Sequence, residues 1–202
     1  MTTRRQDMAA VIVCRMDNGA LATVNGIGLQ GEGNWYRFHG THGLMENCRE
    51  YGRHGCVRVV HERWDMEEGQ VHEKIYEPEF PLARELAARA GHGGGDFFIA
   101  HFFAEAIRTG QQPWMNVYRG LAMSMVGPQA WRSALNNGAS YSIPDFSDEA
   151  MRTPYENDQW SPYPEDAGPG QPPPSIEGLY EPTPEQIAAA RKVWREMGYE
   201  GE

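Results

Sequence analysis

Ala9-Ala10-Val11-Ile12-Val13-Cys14-Arg15-Met16-Asp17-Asn18-Gly19-Ala20-Leu21-Ala22-Thr23-Val24-Asn25-Gly26-Ile27 decides how the chain is read. A β-branched run over 9–16 meets Asn18-Gly19, a pair that tolerates the left-handed backbone of a tight hairpin turn. Residues 20–27 return with Leu21, Thr23 and Val24, so the stretch reads as a β-hairpin. Outward from it, Trp35-Tyr36-Arg37-Phe38-His39 has the aromatic alternation of a third strand. Gly40-Thr41-His42-Gly43 turns the chain into a short fourth strand over 44–46. Further strands are expected over 56–62 and 71–77, joined by the polar loop 63–70. Short turns between successive strands imply antiparallel pairing, with one face left for solvent or a partner.

Beyond Pro78 the period changes. Residues 82–90 have helical composition, Gly91-His92-Gly93-Gly94-Gly95 interrupts them, and 97–108 resumes an apolar-periodic helix stopped by Gly110. Asn116 suits the cap of a long helix over 117–135, which Gly127-Pro128 should kink or break. From Thr153 the composition turns to Pro, Gly and acid. A last helix begins at Thr183-Pro184-Glu185-Gln186, a capping-box pattern with Pro at the first helical position, and should pack through Ile187 and Val193 or Trp194. The expected fold class is α+β. A largely antiparallel sheet of about five or six strands would carry helices on one face, followed by a Pro-rich tail and a C-terminal helix. The domain is placed at 1–152 and the tail at 153–202.

The 202 residues are 40% hydrophobic and 23% charged, with net charge -10. Such an acidic chain lacks the footprint for nucleic acid or an anionic membrane surface. No run of about eighteen apolar residues spans a bilayer. Cys14, Cys48 and Cys56 form no Cys-x-x-Cys, so a reducing, cytoplasmic setting is expected. Arg4-Arg5 is followed by too short an apolar stretch for an export signal.

The ordered series Tyr36-Arg37-Phe38-His39-Gly40-Thr41-His42-Gly43, Gly91-His92-Gly93-Gly94-Gly95-Asp96 and Ile143-Pro144-Asp145-Phe146 resembles the C-terminal domain of the Gfo/Idh/MocA oxidoreductases. Its glycine-histidine stretch and Tyr155-Glu156-Asn157-Asp158 are most similar to the branch of NAD-dependent α-N-acetylgalactosaminidases. The resemblance implies an NAD(P)-dependent sugar oxidoreductase or glycosidase. In the first, hydride passes from a sugar carbon to the cofactor. In the second, transient oxidation at C3 permits elimination and water addition. The glycine fingerprint of a dinucleotide fold is not found. Gly26-x-Gly28 and Gly31-x-Gly33 sit in the wrong context, and the chain by itself is expected to bind no NAD(P). The family's Glu-Lys-Pro and Tyr-x-x-His motifs are missing too. The chain therefore reads as a substrate-binding and oligomerisation domain, truncated or one half of a split enzyme, inactive without a Rossmann-domain partner chain. The alternative is a stand-alone carbohydrate-binding or scaffold protein derived from that domain.

Four residues are candidates for the sugar site: His92, Asp96, Tyr36 and Arg37. His92 is the catalytic candidate, able to bond a sugar hydroxyl or move a proton. The competing reading makes Asp96 a helix cap and His92 a polar loop residue. Tyr36 and Arg37 alternate along a strand and so point to opposite faces, which leaves one of them available to a substrate, although a tyrosine on a sheet face more often serves packing. No metal site is expected: His39 and His42 diverge across a turn, and His54, Cys48 and Cys56 lack a fourth ligand at zinc spacing. Partners are a sugar or sugar-derived molecule and a second copy meeting the exposed sheet face.

Overall fold

The computed structural model describes residues 7, 9–27, 35–50, 52–53, 55–79 and 82–199. Arg4, Arg5, Gly28, Gly31, Gly33 and His54 lie outside them. No helix among the described residues is long and apolar enough to cross a membrane. The chain divides into two compact units, residues 30–113 and residues 1–29 with 114–202.

In the 30–113 unit, β3 (Arg37–His39), β4 (Gly43–Asn47), β5 (Val57–His61) and β6 (Glu73–Tyr76) form an antiparallel meander. Sequence neighbours pair in order, and the shortest connection, between β3 and β4, carries its own closure. Gly40 N–H donates to Gly43 O at 2.8 Å. Tyr36 pairs beyond the regular strand, since its N–H donates to Asn47 Oδ1 at 2.7 Å. The register aligns Arg37 with Glu46, Glu46 with Arg58 and Arg58 with Ile75. Directly opposed side chains share a face, so one face carries an Arg37–Glu46–Arg58 row.

The same unit holds α1 (Arg84–Ala88), a left-handed turn over 92–94, and α2 (Gly95–Thr109). The short α1 packs on α2 and on the turn between them, around the fully buried Ala87. Extensive helix contact with the sheet is absent among the described residues. Strands β4 and β5 therefore keep half-buried residues on both faces.

The other unit starts with the hairpin of β1 (Ala9–Arg15) and β2 (Leu21–Ile27), paired from Ala9↔Ile27 to Arg15↔Leu21. Its turn is a three-residue loop. Gly19 N–H bonds Met16 O at 3.0 Å, Met16 N–H bonds Ala20 O at 2.8 Å, and Gly19 has φ +84°. That is a type I turn closed by a left-handed glycine. The α+β class and antiparallel pairing are as expected. The strands form a two-stranded and a four-stranded sheet, however, where one sheet was expected. Local turn signals set pairing within a hairpin, but joining hairpins needs non-local edges that no turn residue encodes.

Helix α3 (Val117–Leu135) starts where Asn116 Oδ1 accepts from Arg119 N–H at 3.1 Å. It continues through Pro128 as one helix, so of the expected kink or break the break does not occur. Residues just past the proline are tied down. Gln129 Nε2 donates to Ser142 O at 2.7 Å and Trp131 Nε1 to Pro173 O at 3.2 Å. Those tertiary bonds outweigh a single missing backbone donor.

The stretch following α4 (Glu149–Arg152) belongs to the same unit, bound by Phe146 edge-on to Tyr155 and by Arg132 to Asp158 at 2.9 Å. Trp131 Nε1 also bonds Pro173 O, so Tyr155, Asp158 and Pro173 of the expected tail are tied to α3, and residues 153–202 fall in the same unit as that helix. Helix α5 (Pro184–Glu196) has its full capping box: Gln186 N–H to Thr183 Oγ1 and Thr183 N–H to Gln186 Oε1. Ile187 is half-buried, Val193 is exposed, and Trp194 meets Tyr199 edge to face.

Candidate functional site

The glycine-rich turn before α2 holds the first two candidates. His92, Gly93 and Gly94 all have positive φ, at 51°, 62° and 98°. Glycine adopts that region freely, but a histidine is held there at a cost of about 1–3 kcal/mol. The turn closes through Gly94 N–H to Gly91 O at 3.0 Å. A side chain at Gly91 would meet the Asp96 carboxylate and push it from its present position.

Asp96 does not cap α2. The cap position is Gly94, and Asp96 sits within the first turn. Its carboxylate takes up the imidazole instead, with His92 Nδ1 at 2.9 and 3.1 Å from its two oxygens. Sequence reading missed this because the left-handed glycine captured the cap two residues early. With its proton on Nδ1 and donated to Asp96, a neutral His92 presents the Nε2 lone pair outward. The ring is 87% exposed. An imidazole held by a carboxylate, with its far nitrogen open, can accept a hydroxyl proton from a bound ligand.

This turn does not fit a dinucleotide. The Asp96 carboxylate occupies the first turn of α2, where a pyrophosphate would need unopposed amides.

Tyr36 and Arg37 lie on the sheet. Arg37 Nε pairs with Glu46 Oε2 at 3.2 Å, and its guanidinium lies 5.8 Å from the Trp35 ring. Tyr36 is exposed. No hydrogen bond, ion pair or ring contact among the described residues joins Tyr36 or Arg37 to His92 or Asp96, so the four candidates form two places.

A third feature was not read from the sequence. A cleft of about 320 Å³ opens beside Trp35, with Glu46, Arg49, Glu50, Arg58 and Glu73 among its walls. Arg58 bridges two carboxylates: Nη1 to Glu46 Oε1 at 2.6 Å and Nε to Glu73 Oε1 at 2.9 Å. Alternating charge at Glu46 and Arg58 was the available signal, but it acquires meaning only once the register opposes them.

The Arg58 hydrogen bond holds the Glu73 carboxyl below the ordinary glutamate range. A depressed folded value contributes stability above the unfolded pKa, and that contribution is lost as pH falls through the folded value. The Glu73 carboxyl resonance should therefore titrate at lower pH than a free glutamate. In Arg58→Ala it should return to the ordinary range, and an unchanged midpoint would refute the pairing.

Residues 31–153 match the family model described as the glycosyl hydrolase 109, C-terminal domain. The chain belongs to the glycosyl hydrolase 109 family. The glycosyl hydrolase 109 family protein of Stenotrophomonas maltophilia is 30% identical over 118 residues, covering 58% of this chain and 25% of that relative. The α-N-acetylgalactosaminidase of Tannerella forsythia is 32% identical over 115 residues, covering 55% and 24%. The Solibacter usitatus family 109 protein is 31% identical over 93 residues, covering 46% and 20%. The chain thus spans about a quarter or less of the length of these relatives. No solved structure matches it significantly. The glycosyl hydrolase 109 match covers all four candidates.

Proposed function

We propose that the chain forms the substrate-side wall of a sugar-processing enzyme of glycosidase type. The observation that carries this is the carboxylate-held, solvent-facing imidazole of His92, kept in a costly left-handed conformation within the family-matched region. Strain of this kind persists where surrounding structure fixes a group for use. His92 Nε2 bonds a sugar hydroxyl, and Asp96 orients the ring.

NAD(P) supplies redox chemistry in such a reaction and is held by another dinucleotide-binding segment, since the turn at His92 does not fit it. The sheet face and the exposed Ile99, Phe103 and Ile107 of α2 provide apolar area for assembly with a second copy or with that segment. A reducing cytoplasmic setting, with the three cysteines as thiols, completes the reading.

The test is an NMR titration of the chain with the α-methyl glycoside of N-acetylgalactosamine. The His92 ring resonances should shift at millimolar sugar, as expected of a lone half-site, and His92→Ala should abolish saturation transfer to the sugar. Shifts confined to other residues, or none, would overturn the assignment of this turn to substrate.

A further inference from the structure

The β4–β5 register continues one step past the regular ladder. Asn47 opposes Val57, and the next opposed pair is Cys48 and Cys56. Cys48 N–H donates to Cys56 O at 3.0 Å, so the two strands are still paired at this step. Cys56 N–H goes instead to Arg53 O, also at 3.0 Å. Directly opposed residues of an antiparallel pair put their side chains on one face, with Cα atoms about 5.5 Å apart at a hydrogen-bonded site. A disulfide accepts Cα separations of about 4.4–6.8 Å.

Both cysteines are free thiols and half-buried, open to a small oxidant. Two residues further along the same face stand Glu46 and Arg58, and Cys48 itself lines the cleft beside Trp35. Gly52 and Gly55 take positive φ in the intervening turn.

We infer that Cys48 and Cys56 are a reversible dithiol–disulfide pair at the rim of the Trp35 cleft. The oxidant is a low-molecular-weight disulfide. One cysteine thiolate attacks a sulfur of that disulfide, forming a mixed disulfide and expelling a thiolate. The opposed cysteine then displaces the second small thiol. Two protein thiols are oxidised to one disulfide, and one small disulfide is reduced to two thiols. The bond ties Cys48 to Cys56 next to Arg49 and Glu50, which line the cleft.

Incubation of the full chain with oxidised glutathione, followed by thiol counting and tryptic mapping, tests this. Titratable thiols should fall from three to one per chain. Cleavage after Arg37, Arg49, Arg53 and Arg58 should yield peptide 38–49 disulfide-linked to 54–58. Dithiothreitol should restore all three thiols. In Cys48→Ser, which removes only the partner thiol, the glutathione adduct on Cys56 should persist and not resolve. Three thiols left unreacted, stable adducts on both cysteines of the unaltered chain, a bridge to Cys14 or a covalent dimer would each overturn the inference.

Discussion

Gly43→Ala will lower the stability of the four-stranded sheet by about 2–4 kcal/mol, a combined strain and overpacking cost. Gly43 opens β4 with φ +151°, and a methyl group there would overlap the carbonyl oxygen of Val60 on β5. That oxygen is backbone and cannot swing aside, so β4 and β5 must part where Gly43 opposes His61. The thermal midpoint should fall by about 5–10 °C for a chain of this size, and the amides of Val59 and Val60 should exchange faster. Gly19→Ala is the control. It also has positive φ, +84°, but meets nothing nearby. Its cost should stay near the left-handed term of about 1–2 kcal/mol. Equal losses in the two variants would show that the close approach to Val60 contributes nothing.

Arg132→Ala will destabilise the other unit by about 2–4 kcal/mol, summing a lost buried acceptor partner and a lost cation–π contact. Arg132 Nη1 donates to Gln129 Oε1 at 3.0 Å, and Nη2 donates to Asp158 Oδ2 at 2.9 Å. Its guanidinium lies 4.4 Å from the Trp160 ring and 5.9 Å from that of Tyr155. Gln129 is 5% exposed, so truncation strands its carbonyl oxygen away from water. Arg132→Lys keeps the charge but loses the planar fork, and should recover less than half of the loss. Urea denaturation of Arg132→Ala, Asp158→Ala and the double variant should show clear non-additivity. Additive losses would mean that the pair at 2.9 Å is incidental.

The parts legible beforehand share one property: donor and acceptor lie within a few residues. Asn116 capping α3 and the Thr183–Gln186 box opening α5 are bonds at a spacing of three, and the chain forms them wherever it becomes helical. The hairpin at Asp17-Asn18-Gly19 is equally local. Even so, the loop has three residues with its left-handed step at Gly19, since Met16 N–H reaches Ala20 O. The resemblance carried by the glycine-histidine stretch pointed to the family that residues 31–153 match.

The candidate site was only half legible. Gly91 to Asp96 was marked out as unusual, but two acceptable partners for the Asp96 carboxylate lay within reach. Backbone torsion at Gly94 decided between them, giving it to the His92 imidazole. Tyr36 and Arg37 both read as lying within a strand over 35–39, whereas the regular strand begins at Arg37 and Tyr36 precedes it. What they face was not legible, because Arg37 answers to Glu46 across the sheet.

By itself, then, the sequence determined the place of the first hairpin turn, the caps of α3 and α5, the antiparallel sense of the strands and the α+β class. Each follows from torsional preference or hydrogen bonding within one turn of chain. Tertiary structure alone decided that the strands divide into two sheets and that α3 survives Pro128. It also decided that Glu46, Arg58 and Glu73 meet, and that Arg132 binds Asp158 from 26 positions away. These outcomes depend on register and on which distant side chain reaches a buried donor or acceptor first. No local preference encodes that choice, because the loop entropy of bringing such groups together is recovered only when the whole network closes.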